Sequence, residues 1–342
     1  MERRRAEIKN GNYPKHHLWG VDAIECSSEF DSKFISTEKF KIHNLLEKIL
    51  NRTIFQGTAG VRIELSALKA SITSDLIYSV CGPLAISKFA PQKIMSWVFR
   101  PPPNQTYNSF NSYYNKNLPR QSGFLCLTPR AEEYFSQFSH AKFIPWCVDL
   151  ELFDGRRIES KSEKPFYLAT GKTGRDYESL VKAANSTNAE IRIIGPKDQK
   201  PATIPTNVKW IETSSDPPDQ AIDYPTLRDW CAECIAVCIP LSGEAEDTCG
   251  YTNMLEAMAM RKPVLMTRSG SLHIDPESGG FGKLIEPKNH KGWASAMNDL
   301  IENKEVAQTL GENGRNIAER DFTIERFNRD IVCYIQESLN DT

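Results

Sequence analysis

The sequence predicts an α/β protein built from two doubly wound parallel-sheet domains, and three observations carry that prediction. Short runs rich in β-branched and aromatic residues alternate with helix-patterned stretches, the order expected when parallel strands are joined by crossover helices. Gly171 and Gly195 follow two of those runs, where a chain leaving a strand needs a tight turn. The 342 residues, 40% hydrophobic and 25% charged, can bury substantial cores and suit two domains better than one.

In chain order, residues 1–155 read as the first domain. Its opening, Arg3-Arg-Arg-Ala-Glu-Ile8, contains no apolar run and is not expected to form a strand. Tyr13-Pro-Lys-His-His-Leu-Trp-Gly20 then reads as a loop entering a helix at 21–26. Strands are expected at 30–35, 53–55, 75–80, 92–98 and 123–128, and helices at 64–72 and 129–138. The run 142–153 makes the last strand and leads into a polar linker at 154–164.

Residues 156–320 read as the second domain. Strands are expected at 166–169, 189–195, 208–212, 236–241, 263–266 and 283–286. Helices should follow at 178–184, from 224, from near 253, and at 293–301 and 306–319. Residues 321–342 form a tail whose helix, 322–339, is expected to cross back to the first domain.

Composition excludes several function classes. A net charge of −2 gives no general attraction to nucleic acid, although local basic patches leave peripheral contact with anionic lipid open. No run approaches the 18 to 20 apolar residues of a spanning helix, and the start lacks the apolar core of a signal peptide. Nine cysteines, an odd number scattered along the chain, fit a reducing compartment better than a disulfide framework. The expected location is therefore cytoplasmic, in solution or against the inner face of the membrane. Cys231-Ala-Glu-Cys234 has metal-like spacing, but no second CxxC or histidine pair completes a zinc set, so no metal is expected.

The chemistry concentrates in two places. Gly250-Tyr-Thr-Asn-Met-Leu-Glu256 joins a glycine turn to a helix start, where free N–H groups and the positive end of the helix dipole suit an anion such as a diphosphate. Asn253-x-x-Glu256 is also the pattern of a capping box, a purely structural role. The loop Thr170-Gly-Lys-Thr-Gly-Arg175 leaves a strand and offers two cations, and both places lie where ligands bind in open α/β sheets. Cations at a surface turn that touch only solvent are the plain alternative. Trp210, Trp230 and Tyr251 could stack on a base or serve as core.

The segments Leu255-Glu-Ala-Met-Ala259 and Lys262-Pro-Val264, with the element order of residues 162–319, resemble the donor domain of the retaining glycosyltransferases of GT-B fold. That is the glycosyltransferase family 4-like group, glycosyl transferases group 1. The resemblance implies two Rossmann-like domains facing a cleft and transfer of a sugar, hexosyltransferase-type, from a nucleoside diphosphate sugar to a glycan, lipid or small-molecule acceptor. It implies no cofactor and no metal, with a UDP- or GDP-sugar as substrate. It assigns Lys172 and Arg175 to the diphosphate and Glu256 to the donor ribose. Gly171, Asp247, Thr248, Cys249, Gly250, Tyr251, Thr252 and Asn253 complete the donor site, and His16 and His17 are the first-domain candidates at the reaction centre.

The chain departs from that pattern twice. The acid normally eight residues before the helix glutamate is Thr248 here, with Asp247 one position off, and Glu244, Glu246 and Asp247 also read as a solvated acidic loop. The expected absence of the family's first strand is the second departure. Both keep open a catalytically impaired nucleotide-sugar binding or partner subunit; a nucleotide-sugar epimerase of the same architecture is a further alternative, but no pair of acid/base carboxylates is placed for it. A dehydrogenase fits less well, since Gly171-x-x-Gly174 is not GxGxxG.

Overall fold

The computed structural model describes residues 2–35, 42–53, 55, 59–91, 93–101, 117–157, 164–213, 222–242, 248–268 and 272–340. Two units divide the chain, Leu18–Pro145 with Phe327–Thr342, and Met1–His17 with Trp146–Arg326. The sequence places the junctions at 155 and 320 and keeps the first residues with the first domain. Instead, the amino-terminal segment joins the second unit, because the Lys15 N–H donates to Asp149 Oδ2 (2.9 Å) and the Asp149 N–H donates to His16 Nδ1 (3.1 Å). That segment begins with helix α1 (Glu2–Lys9).

In the unit Leu18–Pro145, helices α2 (Val21–Cys26), α3 (Asn44–Arg52) and α4 (Val61–Ala70) precede strand β1 (Ile77–Ser79). Strands β2 (Ile94–Val98) and β3 (Gly123–Cys126), helix α5 (Pro129–Phe135) and strand β4 (Ala141–Phe143) follow. The strands form one parallel sheet in the order β1-β2-β3-β4. Every residue of β2 and β3 is buried, which explains why both read as continuous apolar runs without alternation.

Two expected strands are not there. Residues 30–35 have no regular structure, while Thr53 and Phe55 lie in turns after α3, with 54 outside the described residues. The Thr53 N–H donates to Leu50 O (3.3 Å) and its hydroxyl to Ile49 O (2.8 Å), so the end of a helix overrides the local β preference. From Phe327 on, the last helix belongs to this unit: Phe327 stacks on Trp97 at 5.5 Å, and a Cβ on Gly20 would sit 2.5 Å from Ile331.

In the other unit, β5 (Phe166–Thr170), α6 (Tyr177–Ala183), β6 (Glu190–Pro196), β7 (Val208–Thr213), α7 (Tyr224–Glu233) and β8 (Val237–Ile239) lead to α8 (Tyr251–Ala259). Strands β9 (Val264–Thr267) and β10 (Gly282–Ile285) and helices α9 (His290–Glu302), α10 (Lys304–Asp321) and α11 (Ile324–Asn340) complete the chain. The six parallel strands run in the order β10-β9-β8-β5-β6-β7. Relative to the first strand, β5, this is the doubly wound order 3-2-1-4-5-6, and its direction reverses between β5 and β8. Tyr167, Tyr177, Trp293 and Met297 fill the core beneath.

Candidate functional site

Ligands in doubly wound sheets bind beyond the carboxyl ends of the strands that flank the reversal, here β5 and β8. The segments leaving those strands are tied together. The Asp176 N–H donates to Pro240 O and the Ser242 N–H to Gly174 O, both at 3.0 Å, with a bridge between Arg175 and Leu241.

Arg175 is fixed from three sides. Its Nε donates to Thr170 O (3.1 Å), Nη1 to Thr173 O (2.9 Å) and Nη2 to Asn253 Oδ1 (2.7 Å). These bonds take three of the guanidinium's five N–H groups, and Tyr177 is a further partner of the same group. Asn253 Nδ2 donates to Thr170 Oγ1 (2.9 Å), which locks the first turn of α8 to the end of β5. Gly171 must be small as well, since a Cβ would lie 2.3 Å from the Arg175 guanidinium. Lys172 sits partly exposed in the same loop, where its carbonyl accepts from Gln199 Nε2 (2.7 Å). The loop and the helix start expected to share one ligand are thus brought together.

Gly250 is the N-cap of α8 with φ 88°, a conformation that favours glycine, and a Cβ there would be 2.5 Å from Ile239. The helix starts at Tyr251 with Gly250 as its N-cap, so Asn253 lies inside the first turn and the capping box does not form; the Asn253 amide instead meets Arg175 and Thr170. Thr248, Cys249 and Thr252 are partly exposed around this turn. Asp247, Glu244 and Glu246 lie outside the described residues. Tyr251 is buried edge-on against His273 and Phe322, the half-buried Trp210 packs edge-on to Tyr177, and Trp230 carries the Arg192 guanidinium at 5.2 Å.

One turn further along α8, Glu256 is buried, 6% exposed, and His16 Nε2 lies 3.8 Å from its Oε1. His16 and His17 therefore stand beside the α8 glutamate within one unit, not in the first domain as the sequence suggested. His17 Nε2 is 2.9 Å from the Tyr224 hydroxyl, and Tyr13 packs edge-on to Tyr224 at 5.0 Å. Tyr224 had no sequence signal beyond opening a helix.

Burial governs the charge states of this cluster. It pushes the Glu256 carboxyl up to about 8, against a hydrogen bond from Asn253 that lowers it. Burial also holds His16 well below the usual imidazole range and takes His17 to about 4, helped in each case by a neighbouring cation or imidazole. The ligand atoms of His16, His17 and Glu256 lie within 4.8 Å of one another, a metal-like spacing. The hydrogen bonding does not suit a metal, however. His16 Nδ1 already accepts the Asp149 N–H, so the neutral ring carries its proton on Nε2, the atom a cation would need bare. Cys234 donates instead to Cys231 O (3.2 Å), an ordinary buried thiol contact.

Known proteins resemble this chain at three levels. Residues 175–303 match the family model described as Glycosyl transferases group 1. An uncharacterized glycosyltransferase of Methanocaldococcus jannaschii is 38% identical over 66 residues, a stretch spanning 19% of this chain and only 19% of that relative's length. Among solved structures, sucrose-phosphate synthase from Thermosynechococcus elongatus aligns with TM-score 0.63 at 16% identity, covering 82% of this chain and 78% of its own. A glycosyltransferase from Rickettsia africae aligns at 0.62 and 15%, covering 88% and 89%, and Anabaena HepE in complex with UDP at 0.62 and 16%, covering 80% and 82%. At these identities the likeness is one of fold, and that fold is GT-B.

Proposed function

We propose that this protein, whose residues 175–303 match the Glycosyl transferases group 1 family model on a chain of GT-B fold, transfers a hexose, with retention, from a nucleoside diphosphate sugar to an acceptor. The observation that carries the reading is the bond from Arg175 to Asn253, which sets a guanidinium at the first turn of α8 beside the sheet's reversal point. A cation and a helix N-terminus aimed at one place suit a diphosphate. HepE holds UDP on the same fold, which supports a UDP-sugar donor, with a GDP-sugar next.

Catalysis on this reading is mainly positioning and charge stabilisation. Arg175 and Lys172 offset the charge that grows on the departing diphosphate, in the role a metal ion would otherwise take. Glu256 accepts from the ribose hydroxyls. The reaction is placed in the cytoplasm or on the membrane's inner face, in keeping with nine free cysteines; no helix among the described residues is long and apolar enough to cross a membrane.

One observation favours a second reading. Glu256 is nearly inaccessible and largely protonated at neutral pH, which fits a nucleotide-sugar binding subunit with impaired turnover. Incubation with UDP- and GDP-hexoses, with and without a mixed glycan and lipid acceptor fraction, separates the two. Acceptor-dependent release of nucleoside diphosphate, with the product anomer matching the donor by NMR, supports the transferase. Tight binding without release supports the subunit, and an inverted anomer rejects retention.

A further inference from the structure

Resting on that reading, we infer that His16 is a specificity residue of the donor site, whose Nε2–H donates to the same ribose hydroxyl from which a carboxyl oxygen of Glu256 accepts a hydrogen bond. The inference starts from an unfinished hydrogen bond. His16 is 2% exposed, its Nδ1 is occupied by the Asp149 N–H, and its Nε2 has no hydrogen-bond partner. A buried N–H without a partner is costly, and native proteins rarely keep one without a use.

The neighbouring acceptor is close but not bonded. Glu256 Oε1 lies 3.8 Å away, too far for a direct bond. What fits a donor and an acceptor at that separation is a hydroxyl, which accepts from one and donates to the other. An oxygen about 2.8 Å from each would sit beside the line joining them. A second hydroxyl on the adjacent carbon would reach the other carboxyl oxygen, so the complement is a vicinal diol. A metal is excluded by the protonated Nε2.

Because His16 and Glu256 are both buried, admitting the ligand requires the segment that carries His16 to shift. Besides the Asp149 bonds, it carries the exposed Lys15–Glu151 ion pair, His17 on the Tyr224 hydroxyl, and ring contacts of His16 with Trp146 and Phe153 and of Tyr13 with Tyr224. Of these, only the exposed Lys15–Glu151 pair is of the surface kind that contributes little. His16 is therefore both a cover over Glu256 and, once the ribose is in place, its second hydrogen-bonding wall.

The test compares the affinity of the full chain for the best-binding ribonucleoside diphosphate with that for its 2′-deoxy and 3′-deoxy analogues. The comparison is made in wild type, His16→Phe and His16→Gln. We expect wild type to prefer the ribose form by about tenfold or more over at least one analogue, because a buried polar pair left unmatched is what rejects the deoxy ligand. His16→Phe, which keeps the ring volume, should reduce that preference by about fivefold while still binding the diphosphate, and His16→Gln, which retains an N–H, should restore part of it. An unchanged preference in a folded His16→Phe overturns the inference and leaves the donor site standing. If wild type binds no nucleoside diphosphate at all, the donor-site reading itself fails and takes this inference with it.

Discussion

Replacing Arg175 by alanine tests how the site is built, because the residue has a structural and a chemical role whose sizes differ. Its three hydrogen bonds go to Thr170 O, Thr173 O and Asn253 Oδ1. Each is worth about 1 kcal/mol net, and partial exposure lowers the total to about 1–2 kcal/mol. For a unit of this size that is a fall in Tm of roughly 2–6 °C. Losing a fixed cation where charge develops on a leaving group costs about 10²- to 10³-fold in turnover. Arg175→Lys keeps the charge but cannot hold three acceptors at once, so it should fall between. The assay is release of nucleoside diphosphate from the preferred donor, with melting followed on the same samples. A folded Arg175→Ala variant whose turnover and nucleoside diphosphate affinity stay within about twofold of wild type would refute the reasoning and make the arginine a loop brace.

Three further predictions follow from charge and backbone. Glu256 titrates near 8 in the fold against an ordinary value of 4.5. Its protonated form is therefore favoured by folding, and this stability, fully present below pH 4.5, is lost as pH rises from there to about 8, by at most about 4–5 kcal/mol. Glu256→Gln should abolish that loss, so its Tm advantage widens from pH 5 to 9; a constant offset would contradict the burial argument. His17, lowered to about 4 from 6.5, contributes stability present above pH 6.5 and lost as pH falls towards 4. His17→Gln should flatten that acid limb in a Tm-versus-pH series. Gly250→Ala meets both a φ of 88° and a contact of 2.5 Å with Ile239, so it should cost about 2–4 kcal/mol and weaken nucleoside diphosphate binding, read by chemical denaturation and calorimetry.

Most of the second unit was legible because its signals are local. Buried parallel strands such as Phe166–Thr170 are unbroken apolar runs, and Gly250 marks a turn that no other residue makes well. The first unit was harder. Thr53 looked like a strand residue because β-branching is a weak preference, and a helix begun at His43 overrode it. The place of the first 17 residues could not be read from the sequence, since it depends on Lys15 and His16 meeting Asp149, 134 and 133 positions away. The same long range hid the role of Asn253, whose spacing to Glu256 suggested a cap although its amide serves Arg175 and Thr170.

The central claim is that the reversal point of the six-stranded sheet binds a nucleoside diphosphate through Arg175 and the start of α8. Calorimetric titration of the protein with UDP, GDP, ADP and CMP tests it most directly. The account predicts saturable binding of one diphosphate in clear preference to the others, weakened at least tenfold in Arg175→Ala. Absence of binding to all four, or equal binding to wild type and Arg175→Ala, would contradict it.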